Sequence, residues 1–80
     1  MRSRTEILEI ISEEMEDVLG TDPGTINEET RLVEDLQVDS LDEVELIMGL
    51  EHNHGISITD EEAYKVKTVK DIIDIIQAKD

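Results

Sequence analysis

The chain has 80 residues, no cysteine, and 22 acidic against 7 basic side chains, for a formal net charge of −15. That excludes a disulfide framework and a thiolate metal cage, and it leaves too few cations to neutralise a phosphate backbone, so nucleic acid is not the expected ligand. No apolar run approaches the roughly 20 residues that span a bilayer, and Met1-Arg2-Ser3-Arg4 runs straight into Glu6 rather than into an apolar signal segment. The expectation is one cytoplasmic domain over residues 1–80, without membrane insertion, with a small core and a thin stability margin.

The first helix is predicted over residues 4–19. Ser3 and Glu6 have capping-box spacing, Ile7, Ile11, Met15 and Val18 share a face flanked by Leu8 and Leu19, and Gly20 supplies the stop. A long connection over residues 21–38 follows. It holds the turn signal Asp22-Pro23-Gly24, then Thr30 as a cap for one turn through Leu32, Val33 and Leu36, and its apolar residues Ile26, Leu32, Val33 and Leu36 are expected to pin it. The second helix starts at Asp39 or Ser40 and fades between His52 and Gly55. Gly49 inside it costs about 1 kcal/mol relative to Ala, unless close packing or an approaching partner needs a bare backbone there.

Only Ile56-Ser57-Ile58 alternates as a strand would. Thr59 and Glu62 repeat the capping-box spacing and open a short helix through Ala63, Tyr64 and Val66. The last helix follows Thr68, with Val69, Ile72, Ile73 and Ile76 at i, i+3, i+4 and i+7, and runs to about Gln77. The predicted fold is all-α: a four-helix bundle of three longer helices and one short third helix, with a long first loop crossing an end.

Catalytic chemistry finds little to stand on. His52 and His54 diverge by about 200° on a helix and cannot share an ion. No segment fits an EF-hand loop, Gly20, Gly24, Gly49 and Gly55 form no phosphate-binding loop, and no serine sits in a G-x-S-x-G elbow. No metal site is expected, and the chain does not read as an enzyme.

The second helix carries the strongest signal. Measured from Leu41 at 100° per residue, Leu46, Ile47 and Leu50 lie at about 140°, 240° and 180°, while Leu41, Val44 and Met48 fall between about 300° and 360°. A helix in a small domain turns one stripe to the core, so the other needs a second use. That second stripe is rimmed by Asp42, Glu45 and Glu51, and no Lys or Arg occurs between Arg31 and Lys65. An apolar strip bordered by acids suits docking of a basic partner, with carboxylates steering and apolar contacts holding. Ser40 by itself reads as a helix cap.

The stretch "VEDLQVDSLDEVELIMGLE" at residues 33–51, followed by "ITDEEAYKVKTVKDIIDII", resembles an acyl carrier protein of bacterial fatty-acid synthesis over nearly the whole chain. Its most specific part is D-S-L-D-x-V-E-L, from Asp39 to Leu46. The resemblance implies an acyl-carrier-type bundle, monomeric, in which Ser40 takes a 4′-phosphopantetheine arm from coenzyme A through a phosphopantetheinyl transferase, with Asp39 beside the attachment point. It further implies that Leu41, Val44 and Met48, with Asp39, Asp42, Glu45 and Glu51, meet the transferase and the basic patches of fatty-acid synthesis enzymes. Leu46, Ile47, Leu50, Ile58, Ala63, Val66 and Ile72 are candidate linings for an acyl chain between the helices, or else plain core. Other readings are a polyketide, peptidyl or D-alanyl carrier, and an acidic interaction module or nucleic-acid mimic without a prosthetic group.

The sequence departs from the family pattern at five positions. Gln37 stands where Gly is frequent, so a left-handed backbone is not expected there. Glu43 falls at about 200°, toward the core arc, where a small residue is usual. Leu32 and His54 replace aromatics, and Thr59 replaces a Pro while serving equally well as a cap.

Overall fold

The structure, a computed structural model, describes residues 2–80. Its elements are α1 (Arg4–Leu19), α2 (Ser40–His54), α3 (Asp60–Tyr64) and α4 (Val69–Lys79), with a single 3₁₀ turn at Pro23–Thr25 in the long first loop. Each α-helix opens on a capping box: Ser3 with Glu6, Asp39 with Asp42, Thr59 with Glu62 and Thr68 with Asp71. In every box the two side chains satisfy one another's backbone N–H groups, which fixes where the helix begins. Helices α1 and α2 end on left-handed glycines, Gly20 at φ 72° and Gly55 at φ 66°.

The core is aliphatic. Ile7, Ile11 and Met15 of α1 meet Leu46 and Leu50 of α2 and Val69, Ile72, Ile73 and Ile76 of α4, all of them buried. Ile26, Leu32, Val38, Ile56 and Ile58 close it from the loops. Burying each such side chain contributes roughly 1.5–3 kcal/mol, which is how a bundle without buried aromatics holds together. Tyr64, the sole aromatic, is 93% exposed. Among the described residues no helix is long and apolar enough to cross a membrane.

The four-helix expectation holds, with differences in detail. Helix α3 stops at Tyr64 rather than including Val66, because the N–H groups of Lys65 and Val66 turn back to the Glu62 and Ala63 carbonyls and lead the chain tightly toward Thr68. Helix α4 runs two residues past Gln77, to Lys79. Ile56-Ser57-Ile58 forms no strand, although both isoleucines are buried; the one isolated bridge among the described residues joins Arg31 to Thr68.

In the first loop, Thr30 does not cap the turn that follows. Its hydroxyl accepts from the Asn27 N–H (3.0 Å), and the Asp35 carboxylate takes the Arg31 N–H instead (2.8 Å). Ile26 and Leu32 pin the loop as expected, but Val33 points outward at 65% exposure, since the Arg31 to Gln37 turn offers only one side to the core.

One polar group is drawn into the α1–α2 seam. The Glu14 side chain, 6% exposed, accepts a hydrogen bond from Asn53 Nδ2 (2.9 Å) and lies 3.4 Å from His54 Nε2. It packs against Gly49, whose bare backbone is therefore explained by close packing inside the fold. The Arg and Lys ion pairs sit elsewhere: Arg4 with Glu28 and Asp74, Arg2 with Asp80, Arg31 with Glu34 and Asp35, and Lys79 with Glu62.

Candidate functional site

The turn that precedes α2 determines how Ser40 is presented. The N–H of Gln37 donates to the Val33 carbonyl and that of Val38 to the Leu32 carbonyl, both at 3.0 Å. Gly55 and Ile56 close α2 in the same way, onto Glu51 (3.0 Å) and Leu50 (3.2 Å). The first closure uses Gln37 at φ 57°, so the left-handed backbone that its side chain argued against is present after all. Burial of Val38 and Leu32 on either side over-determines the turn, at a local cost of about 1–2 kcal/mol for a residue with a β-carbon.

Asp39, in extended conformation, then caps α2. Its Oδ1 accepts from the Asp42 N–H (2.8 Å), and Asp42 Oδ2 accepts from the Asp39 N–H (3.2 Å). The cap is thus Asp39, and Ser40 is the first helical residue, exposed, with no partner for its hydroxyl among the described residues. Of the N–H groups at the helix start, the box consumes those of Asp39 and Asp42 and leaves those of Ser40 and Leu41 free at the positive end of the helix dipole.

The two arcs of α2 separate as their angles require. Leu41, Val44 and Met48 are 66%, 52% and 63% exposed, so the long loop does not cover them. Glu45 and Glu51 are exposed beside them and Asp42 is half-buried, its carboxylate shared with the capping box. Among the described residues Asp39, Asp42, Glu45 and Glu51 enter no ion pair, so this face presents an uncompensated negative field around an apolar strip.

On the opposite arc, Leu46, Ile47, Leu50, Ile58, Ala63, Val66 and Ile72 come together around one small cavity, joined by Leu32 and Glu43. All seven residues singled out from the sequence lie there. Its free volume is about 10 Å³, room for about one water, so a longer guest enters only if the helices part. Sequence reasoning left Leu32 and Glu43 out of the lining. The missed signal was spacing: Glu43, Leu46, Ile47 and Leu50 fall at i, i+3, i+4 and i+7 on one face. Burial pushes the Glu43 carboxyl above its ordinary value.

Comparison with known proteins agrees with this geometry. Residues 9–76 match the family model described as "Phosphopantetheine attachment site". The chain is 48% identical over 77 residues to the acyl carrier protein of Thermosynechococcus vestitus, covering 96% of this chain and 95% of that one. It is 52% identical over 60 residues to the acyl carrier protein of Helicobacter hepaticus, covering 75% and 79%. A solved structure from Mycobacterium tuberculosis, described as a candidate acyl carrier protein, superposes with a TM-score of 0.82 at 34% identity over 92% of this chain and 99% of that one.

Proposed function

The chain belongs to the acyl carrier protein family, and from that premise we propose that Ser40 is the residue that bears the 4′-phosphopantetheine arm. The observation that carries this reading is the exposed, unpartnered hydroxyl at the first position of α2, beside a cap already made by Asp39. Because Asp39 and not Ser40 satisfies the helix start, modifying Ser40 leaves the cap in place. The residues fit the group: the free N–H groups of Ser40 and Leu41, at the positive end of α2, suit a phosphodiester anion. When attached, the arm supplies a terminal thiol on which acyl groups ride as thioesters.

Attachment and acyl chemistry belong to partner enzymes; this chain contributes the anchor, the address and the shelter. The anchor is Ser40. The address is the strip of Leu41, Val44 and Met48 with Asp39, Asp42, Glu45 and Glu51, which suits the basic patches of a phosphopantetheinyl transferase and of fatty-acid synthesis enzymes in the cytoplasm. The shelter is the apolar cavity lined by Leu46, Ile47, Leu50, Ile58, Ala63, Val66 and Ile72, which opens to take in an acyl chain. One carrier domain acts as a monomer across residues 1–80.

The test is intact mass after incubation with coenzyme A, magnesium and a transferase of broad specificity. A gain of one phosphopantetheine, absent in Ser40→Ala, is the expected result. An unmodified wild-type chain refutes the reading and favours an acidic interaction module.

A further inference from the structure

Two surfaces adjoin Ser40, and they are built from the same kinds of residue. On α2, Leu41, Val44 and Met48 stand exposed beside acids that enter no ion pair among the described residues. On the Arg31 to Gln37 turn, Val33 stands exposed beside Glu34 and Asp35. The second surface has one addition, a cation of the chain's own. Arg31 Nε lies 3.4 Å from Glu34 Oε2 and Arg31 Nη2 donates to Asp35 Oδ1 (3.1 Å), while the Arg31 N–H donates to Asp35 Oδ2 (2.8 Å). That N–H, and then the guanidinium, hold the Asp35 carboxyl below its ordinary value. No Lys or Arg follows in the sequence until Lys65, so Arg31 is the last cation before Ser40 and before the whole of α2.

Asp35 and Ser40 are five residues apart, so even a fully extended chain keeps them within about 18 Å, and the closed turn at Gln37 and Val38 shortens that. An enzyme that modifies Ser40 therefore approaches both surfaces. The ion pairs of Arg31 add little to stability, because exposed pairs rarely do. Their charge is nonetheless a fixed part of the field that the partner meets. On the turn, a basic group finds carboxylates already engaged and a like charge beside them. On α2 it finds them free.

We infer that Arg31 is a specificity-determining residue for docking at Ser40: it closes the turn side to basic partners and leaves α2 as the side along which their cations align. This rests on Ser40 as the attachment point. Without the Arg31 charge, Glu34 and Asp35 join the attractive field, and a partner with basic groups on both sides of its active site gains contacts that the native chain denies it.

The experiment measures kcat and KM for modification of the full-length chain by a phosphopantetheinyl transferase of broad specificity, with coenzyme A and magnesium, followed by intact mass. At low salt Arg31→Gln is expected to lower KM about threefold with kcat unchanged, the order expected for one unit charge near the contact, and the difference should fade as salt rises. Arg31→Lys, which keeps the charge, should keep the wild-type KM. Glu34→Gln should raise KM more in the Arg31→Gln chain than in the wild type, because only there is its carboxylate open to the partner. Arg2→Gln removes the same charge at the far end of α2, where Arg2 donates to the His54 carbonyl, and should change KM far less. The Asp35 bond to the backbone N–H of residue 31 survives all of these substitutions, and urea midpoints check that each variant is folded. An unchanged KM in Arg31→Gln, an equal gain in Arg2→Gln, or an equal effect of Glu34→Gln in both backgrounds overturns the inference. Failure of the attachment reading looks different, since the wild-type chain would then gain no mass at all, and this inference would fall with it.

Discussion

The carboxyl of Glu14 occupies the space that a β-carbon on Gly49 would need, its Cδ lying 3.2 Å from that point. Gly49→Ala should gain about 1 kcal/mol of helix propensity. It should lose more, because the buried carboxyl must leave Asn53 and His54, at a cost of about 1–3 kcal/mol. The expected net destabilisation is about 1 kcal/mol by urea unfolding, from the difference of those two effects. In a Glu14→Ala background the sign should reverse, with Gly49→Ala stabilising by about 1 kcal/mol. Additive single and double variants would show that the two residues do not compete for this space.

Gln37 closes its turn at φ 57° with the bonds that Gly55 uses at φ 66°. Gln37→Gly relieves about 1–2 kcal/mol of left-handed strain and loosens the unfolded chain by about 0.4–1 kcal/mol. A net stabilisation of about 0.5–1 kcal/mol should follow, seen as a higher urea midpoint at unchanged slope. A lower midpoint would mean that the glutamine side chain contributes contacts outweighing its strain.

Reversing the charge at Glu45 or Glu51 should act on encounter rather than on folding. Neither group is in an ion pair, so Glu45→Lys and Glu51→Lys should leave the urea midpoint nearly unchanged. Association with the transferase should slow about tenfold at low salt and converge with the wild type as salt rises. Met48→Ala should raise the dissociation rate instead. Unchanged association at low salt in both charge variants would remove the acidic rim from recognition.

Glu62 gives the fold a specific acid sensitivity. Its Oε1 accepts from Lys79 Nζ (2.7 Å) and from the Thr59 N–H (2.9 Å), and these bonds bring its carboxyl down from 4.5 to about 2. Folded chains thus bind fewer protons here than unfolded ones. The contribution is complete above about pH 4.5 and is lost as pH falls toward 2. Glu62→Gln should flatten this part of the stability profile, measured by urea midpoints across that window. An unaltered profile would show that solvent screens the pair into irrelevance.

Helix starts were legible because capping chemistry is local: Ser3 with Glu6 and Thr59 with Glu62 announce themselves by spacing. The boxes at Asp39 and Thr68 were less visible because Asp42 and Asp71 stand at the third helical position, where Glu or Gln marks the usual pattern. The two arcs of α2 followed from angle alone, and the exposure of Leu41, Val44 and Met48 agrees with it. The Gln37 backbone was misjudged, since its conformation is imposed by burial of Leu32 and Val38 on either side. The Glu14 contact with Gly49 joins helices far apart in the chain, and no local pattern reports such a contact.

Tyr64 is the chain's one aromatic and stands 93% exposed on α3. The interior is consequently dark to near-ultraviolet light: neither aromatic absorbance nor intrinsic emission registers whether the aliphatic seam is shut or spread. Tyr64 signals chiefly its own watery surroundings, so a single indole introduced beside Leu46 would give the bundle its first internal reporter.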